Sequence, residues 1–368
     1  MKYATIERIE SLSEISGSDN ILLARVLGWD VVVKKYSNLE TKALQFQEGD
    51  FCVYIPIDTV VDISKPWFKF LGHNRNIKTR QIRGVFSQGL VLPLSDFPRN
   101  GVLDNIVLEE GFDVSELLCV TKYEKDILPN SKPGKSVTSF NGVTFPGFPL
   151  HVLAKTDEDN LRTKNKALKE LIGKEISVTQ KQDGSSMTCI WKVNPQPDGT
   201  KKYEFELAKR NISIWKVVNG VTVHEIDDKM VDYAKREDLI SLFSRNIALQ
   251  GEFCGPKIGG NRLDLNDYHW FVFNVKDLDT GRYFGKDEID DLCEEKWLES
   301  VPEVHRMIVT EDTTIQYFQN LANEIKYLNS KREHVEGEGI VIRPVIPFYS
   351  SVLSKSFSVK VINQKYKD

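Results

Sequence analysis

A strand pattern that ends on charge sets the tightest limit on what this chain can become. Ile176-Ser177-Val178-Thr179 alternates apolar and polar residues at the two-residue period of a half-buried β-strand. The residues that follow, Gln180-Lys181-Gln182-Asp183-Gly184-Ser185-Ser186-Met187, break the alternation with a lysine, an aspartate and a glycine. Asp-Gly is turn chemistry, so the pattern predicts a strand ending in a tight turn, with the next strand, 187–193, returning from it. A lysine at such a strand end is partly desolvated, which disfavours its charged form and lets the neutral amine act as a nucleophile. Gly184 lets backbone approach a ligand closely, and Asp183 suits a ribose hydroxyl or a metal-bound water. The bland alternative is a solvated turn. What separates the two is whether acidic, aromatic and basic residues follow in a workable order.

The 368 residues predict two or three domains. A net charge of -4 excludes a polycation that coats nucleic acid, so any nucleic-acid surface must be a local patch. Cys52, Cys119, Cys189, Cys254 and Cys293 are odd in number and lack metal-ligand spacing. They read as reduced, mostly buried thiols of an intracellular protein. Met1-Lys2-Tyr3-Ala4-Thr5-Ile6-Glu7-Arg8 has no apolar core of a signal peptide, and no apolar run approaches a membrane span. The expectation is a protein neither secreted nor inserted in a membrane, and a monomer.

Residues 1–120 are β-rich. Runs at 20–26, 30–33, 51–57 and 89–93 are separated by turn signals, which suits a small closed barrel of the OB type. Within it, Arg75, Lys78, Arg80 and Arg83 follow Trp67, Phe68 and Phe70. Cations beside aromatics can track a phosphate backbone and stack on bases, so these four form a candidate RNA-binding patch. Residues 121–149 read as a Lys/Pro/Gly/Ser linker. Gly134-Lys135-Ser136 within it is no P-loop, because Pro129 occupies the place of the first glycine and no strand leads in. From 150 to 368 the pattern mixes helices at 156–172, 227–244, 286–299 and 313–330 with strands at 176–179, 187–193, 203–208, 247–252, 270–275, 339–344 and 356–362. Asp157 and Glu158 would stand in the opening turn of the first helix. The fold class is therefore α+β.

Four further stretches suit a lysine that takes up a nucleotide. Leu249-Gln250-Gly251-Glu252-Phe253 delivers a carboxylate from an apolar strand, where it needs a ribose, a cation or a metal as partner. Trp270-Phe271-Val272-Phe273-Asn274-Val275 places aromatics on two faces, one for the core and one for stacking on a purine. Glu336-Gly337-Glu338-Gly339 feeds an apolar strand, with Glu338 placed to hold a divalent cation through its water shell. In Ser358-Val359-Lys360-Val361-Ile362 a lysine interrupts apolar residues and calls for an anion such as a triphosphate.

Taken with Lys209-Arg210-Asn211, these stretches resemble motifs I, Ia, III, IIIa, IV and V of the covalent nucleotidyltransferases: RNA ligases, DNA ligases and capping enzymes. The chain is most similar to the fifth family of ATP-dependent RNA ligases, in which an OB domain precedes an adenylyltransferase domain. Lys155-Thr156-Asp157-Glu158 resembles an element ahead of that family's nucleophile. The resemblance implies that Lys181 attacks the α-phosphorus of ATP to form lysyl-AMP. The AMP then passes to an RNA 5′-phosphate, and a 3′-hydroxyl displaces it, with nicked duplex as the expected substrate and Mg²⁺ or Mn²⁺ as the ion. It implies nucleotide binding by Gln180, Lys181, Asp183, Gly184, Arg210, Glu252, Phe273 (or Phe271), Glu338 and Lys360. Asp183, Glu252 and Glu338 would attend the metal, and Lys181 and Lys360 would be catalytic. The chain departs from the family at Ser358, where a lysine is common, at Asn160, where an arginine is expected, and at Gly259. The competing readings are a DNA ligase, a capping guanylyltransferase and a non-catalytic OB-type RNA-binding protein.

Overall fold

The computed structural model describes residues 2–97, 108–123, 139–140, 143–144, 146–329, 331 and 333–366. Gly134-Lys135-Ser136 and most of the expected linker lie outside them. The chain divides into two compact units, Met1–Pro129 and Asn130–Asp368.

The first unit is built from short antiparallel strands. One sheet orders Leu90–Pro93, Phe51–Ile55, Thr5–Arg8 and Phe112–Asp113, and another orders Ser11–Glu14, Ile21–Val26 and Trp29–Lys34. The unbroken apolar run of Phe51–Ile55 has a physical cause: successive side chains leave a strand on opposite faces, and both faces here are buried. Val53 and Ile55 enter a cluster with Ile6, Phe68 and Leu92, while Cys52 and Tyr54 enter one with Val26, Trp29 and Val31. Phe68 is fully buried and Trp67 packs against the same cluster, so neither is free to stack on a base. Phe70, 60% exposed, is the one aromatic of that trio left outside. Arg75 is half-buried, whereas Lys78, Arg80 and Arg83 are exposed on and beside the hairpin Arg80–Ile82/Val85–Ser87.

The second unit holds two sheets, whose strands are labelled here along the unit. The first orders β1 (Asp159–Asn160), β12 (Val359–Ile362), β11 (Gly339–Pro344), β2 (Glu175–Lys181) and β10 (Glu303–Ile308). The second orders β6 (Val221–Glu225), β5 (Ser213–Val218), β4 (Lys201–Lys209), β3 (Ser185–Pro195), β7 (Ile247–Cys254), β8 (His269–Asp277) and β9 (Glu299–Ser300). Pairing is antiparallel except for β1 with β12 and β8 with β9. In the first sheet Ile176, Val178, Ile340, Ile342, Val359 and Val361 share one face and bury together against helix α3 (Ile315–Glu324). In the second, Met187, Cys189, Leu249, Val272 and Val275 do so with helix α1 (Lys229–Arg236) and helix α2 (Lys286–Lys296). The remaining faces carry the polar residues.

Three sequence expectations need correction. The turn after Lys181 is not a hairpin: β2 pairs with β10 and β11, and Ser185 opens β3 in the other sheet, so Gln182–Gly184 is a crossing between sheets. No helix spans 156–172. Asp159–Asn160 is a strand and only Asn165–Leu171 coils, as a 3₁₀ helix, because Asp157 and Glu158 are drawn into ion pairs instead of a helix terminus. The expected helices at 286–299 and 313–330 each end in a strand, at Glu299–Ser300 and Lys326–Leu328.

Candidate active site

Residues directly opposite each other across a sheet point to the same side. Lys181 opposes Gly339, Thr179 opposes Val341 and through it Lys360, and Ser177 opposes Arg343. These form three rows on the face away from the core. On the second sheet Ser186, Glu252 and Phe271 form one row, and Thr188, Gln250 and Asn274 the next. Glu252 is thus on an interior strand, not a solvated edge. A cleft is lined by Ser177, Thr179 and Arg343 from the first sheet and by Gln250, Phe273 and Asn274 from the second.

The crossing from β2 to β3 is tight. A Cβ on Gly184 would lie 2.5 Å from the Phe253 carbonyl oxygen and 3.0 Å from Glu252 Cγ, so glycine is required for Asp183 and Glu252 to come together. Gly339, at φ +143°, has the same need where it opposes Lys181: a Cβ would meet the Val361 carbonyl at 2.2 Å.

Lys181 Nζ donates to Glu338 Oε2 at 2.7 Å, with both side chains about four-fifths buried. Burial works to lower the lysine pKa, but Glu338, Glu252 and Glu158 outweigh it and hold the ammonium well above its ordinary value. In this state Lys181 is therefore charged, and the neutral amine expected from burial is not its resting form. Burial pushes Glu252 up to about 8, against the pull of Lys181 and with the push of Glu338, Glu158 and Asp183. Glu338 is likewise raised by burial, while Lys181 and Lys360 draw it down. Among the described residues the Lys360 side chain makes no hydrogen bond or ion pair, while its backbone carbonyl accepts from the Leu161 N–H at 3.0 Å.

Tyr327, Arg262 and Tyr366, which the sequence did not single out, and the segment 155–158, which it did, fix this arrangement. Tyr327, fully buried, donates its hydroxyl to the Lys181 carbonyl and accepts the Glu338 N–H at 3.0 Å, joining the ends of β2 and β11. Asp183 is held by Arg262 at 3.7 Å and by the Tyr366 hydroxyl, and Arg262 lies over the Tyr366 ring. The segment 155–158 fastens the two sheets. Lys155 donates to Asn211 at 2.6 Å, and Thr156 meets Ser186 at 3.0 Å. Asp157 pairs with Arg210 at 2.7 Å and Glu158 with Arg343 at 2.7 Å. Arg343 also sits over the Phe273 ring. The sequence marks 155–158, but the partners of these residues lie elsewhere along the chain, at Ser186, Arg210, Asn211 and Arg343.

Of the predicted residues, Lys181, Glu252, Glu338 and Asp183 act on one another's charge, and Lys360 acts on Glu338. Phe273 lines the cleft, whereas Phe271 stacks on His269. Gln180 opposes Ile340 of the core face, and its amide is engaged by the Lys326 carbonyl and Gln182. Among the described residues no three His, Cys, Asp or Glu side chains are grouped to ligate a metal directly. The mutual repulsion of Glu252 and Glu338 nevertheless leaves the site short of positive charge, and oxygen donors of this kind fit a hydrated divalent ion.

The RNA ligase family model matches residues 174–362, just over half of the 368. The chain belongs to the RNA ligase family. A second match, over residues 3–94, is to an OB-fold domain. Solved structures of Naegleria gruberi RNA ligase resemble the whole ligase. A variant with ATP and manganese is 25% identical over all of both chains, with a TM-score of 0.72. The enzyme with pyrophosphate is 25% identical over 99% of this chain and 97% of the other, with a TM-score of 0.70. A variant with AMP and manganese gives 25%, the same coverage and 0.71. No curated protein matches this ligase. No described helix is long and apolar enough to cross a membrane.

Proposed function

We propose that this ligase joins RNA 3′-hydroxyl and 5′-phosphate ends, chiefly at nicks, using ATP through a lysyl-AMP on Lys181. The observation that carries the reading is the buried Lys181 amine, 2.7 Å from Glu338, on the strand face that lines the cleft. Thr179 in the cleft precedes Lys181 by one side-chain repeat, roughly 7 Å, the reach of a ribose between base and phosphate. The adenine therefore enters beside Phe273, whose ring is steadied by Arg343, and the α-phosphate reaches Lys181.

Lys181 starts as an ammonium, so its first requirement is to lose a proton, and Glu338 is the hydrogen-bonded acceptor. The freed nitrogen attacks the α-phosphorus, the bond from that phosphorus to the β-phosphate oxygen breaks, and pyrophosphate leaves, taking up the second proton that the nitrogen gives up as the phosphorus–nitrogen bond forms. Lys360 supplies positive charge to the α-phosphate, and Glu252 and Asp183 face the ribose. A divalent ion held through water by Asp183, Glu252 and Glu338 would supply charge that opposes both the ammonium form and the phosphate's negative charge. Arg210, already fixed by Asp157, is oriented for the ribose or the departing pyrophosphate. AMP then passes to the RNA 5′-phosphate, and attack by the 3′-hydroxyl releases it. The same reading gives residues 1–120, with Arg75, Lys78, Arg80 and Arg83, the task of holding RNA, treats 121–149 as linker and 150–368 as the catalytic domain, and takes the protein as an intracellular monomer.

The test is sealing of defined nicks, with ribose or deoxyribose at the 3′-hydroxyl side, by the native protein and by Lys181→Ala. Native sealing of the ribose nick, and its loss in the variant with rescue by pre-adenylylated RNA, is expected. Sealing by Lys181→Ala from ATP and unmodified RNA ends would refute the assignment.

A further inference from the structure

The floor of the cleft carries side-chain amides whose direction is set by the backbone. Gln250, 1% exposed on the interior strand β7, donates from Nε2 to the Ala154 carbonyl at 3.0 Å. A carbonyl only accepts, so this amide cannot be turned over, and its Oε1 is the atom presented to β8. Asn274 Nδ2 donates to that oxygen at 2.7 Å. Asn274 Oδ1 consequently points away from Gln250. It is not among the buried polar atoms left without a partner, and Asn274 lines the cleft. The register explains how Asn274 gets there. Gly251 opposes Val272 and Gln250 opposes Asn274, so Phe273 is the extra residue of a β-bulge. The bulge lets two consecutive residues, Phe273 and Asn274, face the cleft, where strict alternation would send one of them into the core.

We propose that Asn274, oriented by Gln250, selects the nucleotide base: its Oδ1 accepts a hydrogen bond from the 6-amino group of adenine and repels the 6-carbonyl oxygen of guanine or hypoxanthine. This rests on the reading that the cleft takes the base of the charging nucleotide. Phe273 gives the base a surface without regard to its identity, and the fixed amide pair supplies the discrimination. Because Ala154 holds Gln250, Asn274 cannot present its NH₂ to a carbonyl-bearing base without losing its own hydrogen bond.

The experiment measures lysyl-nucleotide formation at subsaturating nucleotide, comparing ATP with purine riboside triphosphate, which has hydrogen at C6, and with inosine triphosphate, which has a carbonyl there. With the native protein, purine riboside triphosphate is expected to charge Lys181 about tenfold more slowly than ATP, and inosine triphosphate more slowly still. In Asn274→Ala the gap between ATP and purine riboside triphosphate closes to within about threefold. In Gln250→Leu, which frees the Asn274 amide to turn, inosine triphosphate gains on ATP. Equal use of the three nucleotides by the native protein overturns the proposal, as does an Asn274→Ala variant that slows all three in proportion. If the native protein forms no adduct with any of them, the ligase reading falls as well. An adduct formed without discrimination removes only the role of Asn274.

Discussion

Replacing Glu252 by glutamine separates the cost of the site from its use. Glu252 is pushed up to about 8 in the folded protein, chiefly by burial, against about 4.3 in an unfolded chain. The folded state therefore binds more protons than the unfolded state between these values, and stability falls as pH rises through that window. At about 1.4 kcal/mol per pH unit, the loss from this one group between roughly pH 5 and pH 8 is about 3 to 4 kcal/mol. Glutamine keeps the shape of the protonated acid and cannot ionise. In urea titrations read by tryptophan fluorescence, Glu252→Gln should match the native protein near pH 5. It should exceed it by about 3 kcal/mol near pH 8, while failing to charge Lys181. A stability difference that does not change across this range would refute the claim that an uncompensated carboxylate is buried beside Lys181. Binding of ATP with a divalent ion should narrow the difference, since only the native carboxylate gains a partner.

Other perturbations follow from the same geometry. Glu158→Gln leaves Arg343, 20% exposed, without its carboxylate and should cost about 3–5 kcal/mol in chemical unfolding, with the double variant Glu158→Gln/Arg343→Met recovering most of it. Lys360→Ala should slow lysyl-AMP formation by about a hundredfold or more, with the unfolding free energy changed by less than about 1 kcal/mol; Lys360→Arg should restore part of the rate. Replacing Arg75, Lys78, Arg80 and Arg83 together by alanine should flatten the dependence of log RNA affinity on log salt by about 0.7 to 0.9 per lost phosphate contact, leaving Lys181 charging intact.

The strands were largely legible because their signal is local. Ile21–Val26, Ile247–Cys254 and Gly339–Pro344 alternate, or run apolar, where one or both faces are buried. What the sequence hid is non-local. Nothing in 182–184 distinguishes a hairpin from a crossing between sheets, since Asp-Gly bends the chain either way. The acidic start of 156–172 reads as a helix terminus until Arg210 and Arg343, far along the chain, are seen to claim Asp157 and Glu158. The charge state of Lys181 is non-local in the same way. Burial alone predicts a neutral amine, and only the structure places three glutamates around it. The cleft-facing position of Asn274 is hidden in the sequence because a bulge shifts the alternation by one residue.

The central claim is that Lys181 carries AMP, and peptide mapping tests it most directly. After incubation with ATP and Mg²⁺ or Mn²⁺, one AMP should be found on the peptide containing Lys181, with one pyrophosphate released for each adduct and the bond broken by mild acid, as a phosphorus–nitrogen linkage is. Protein of unchanged mass, or AMP attached to any other residue, would contradict the account.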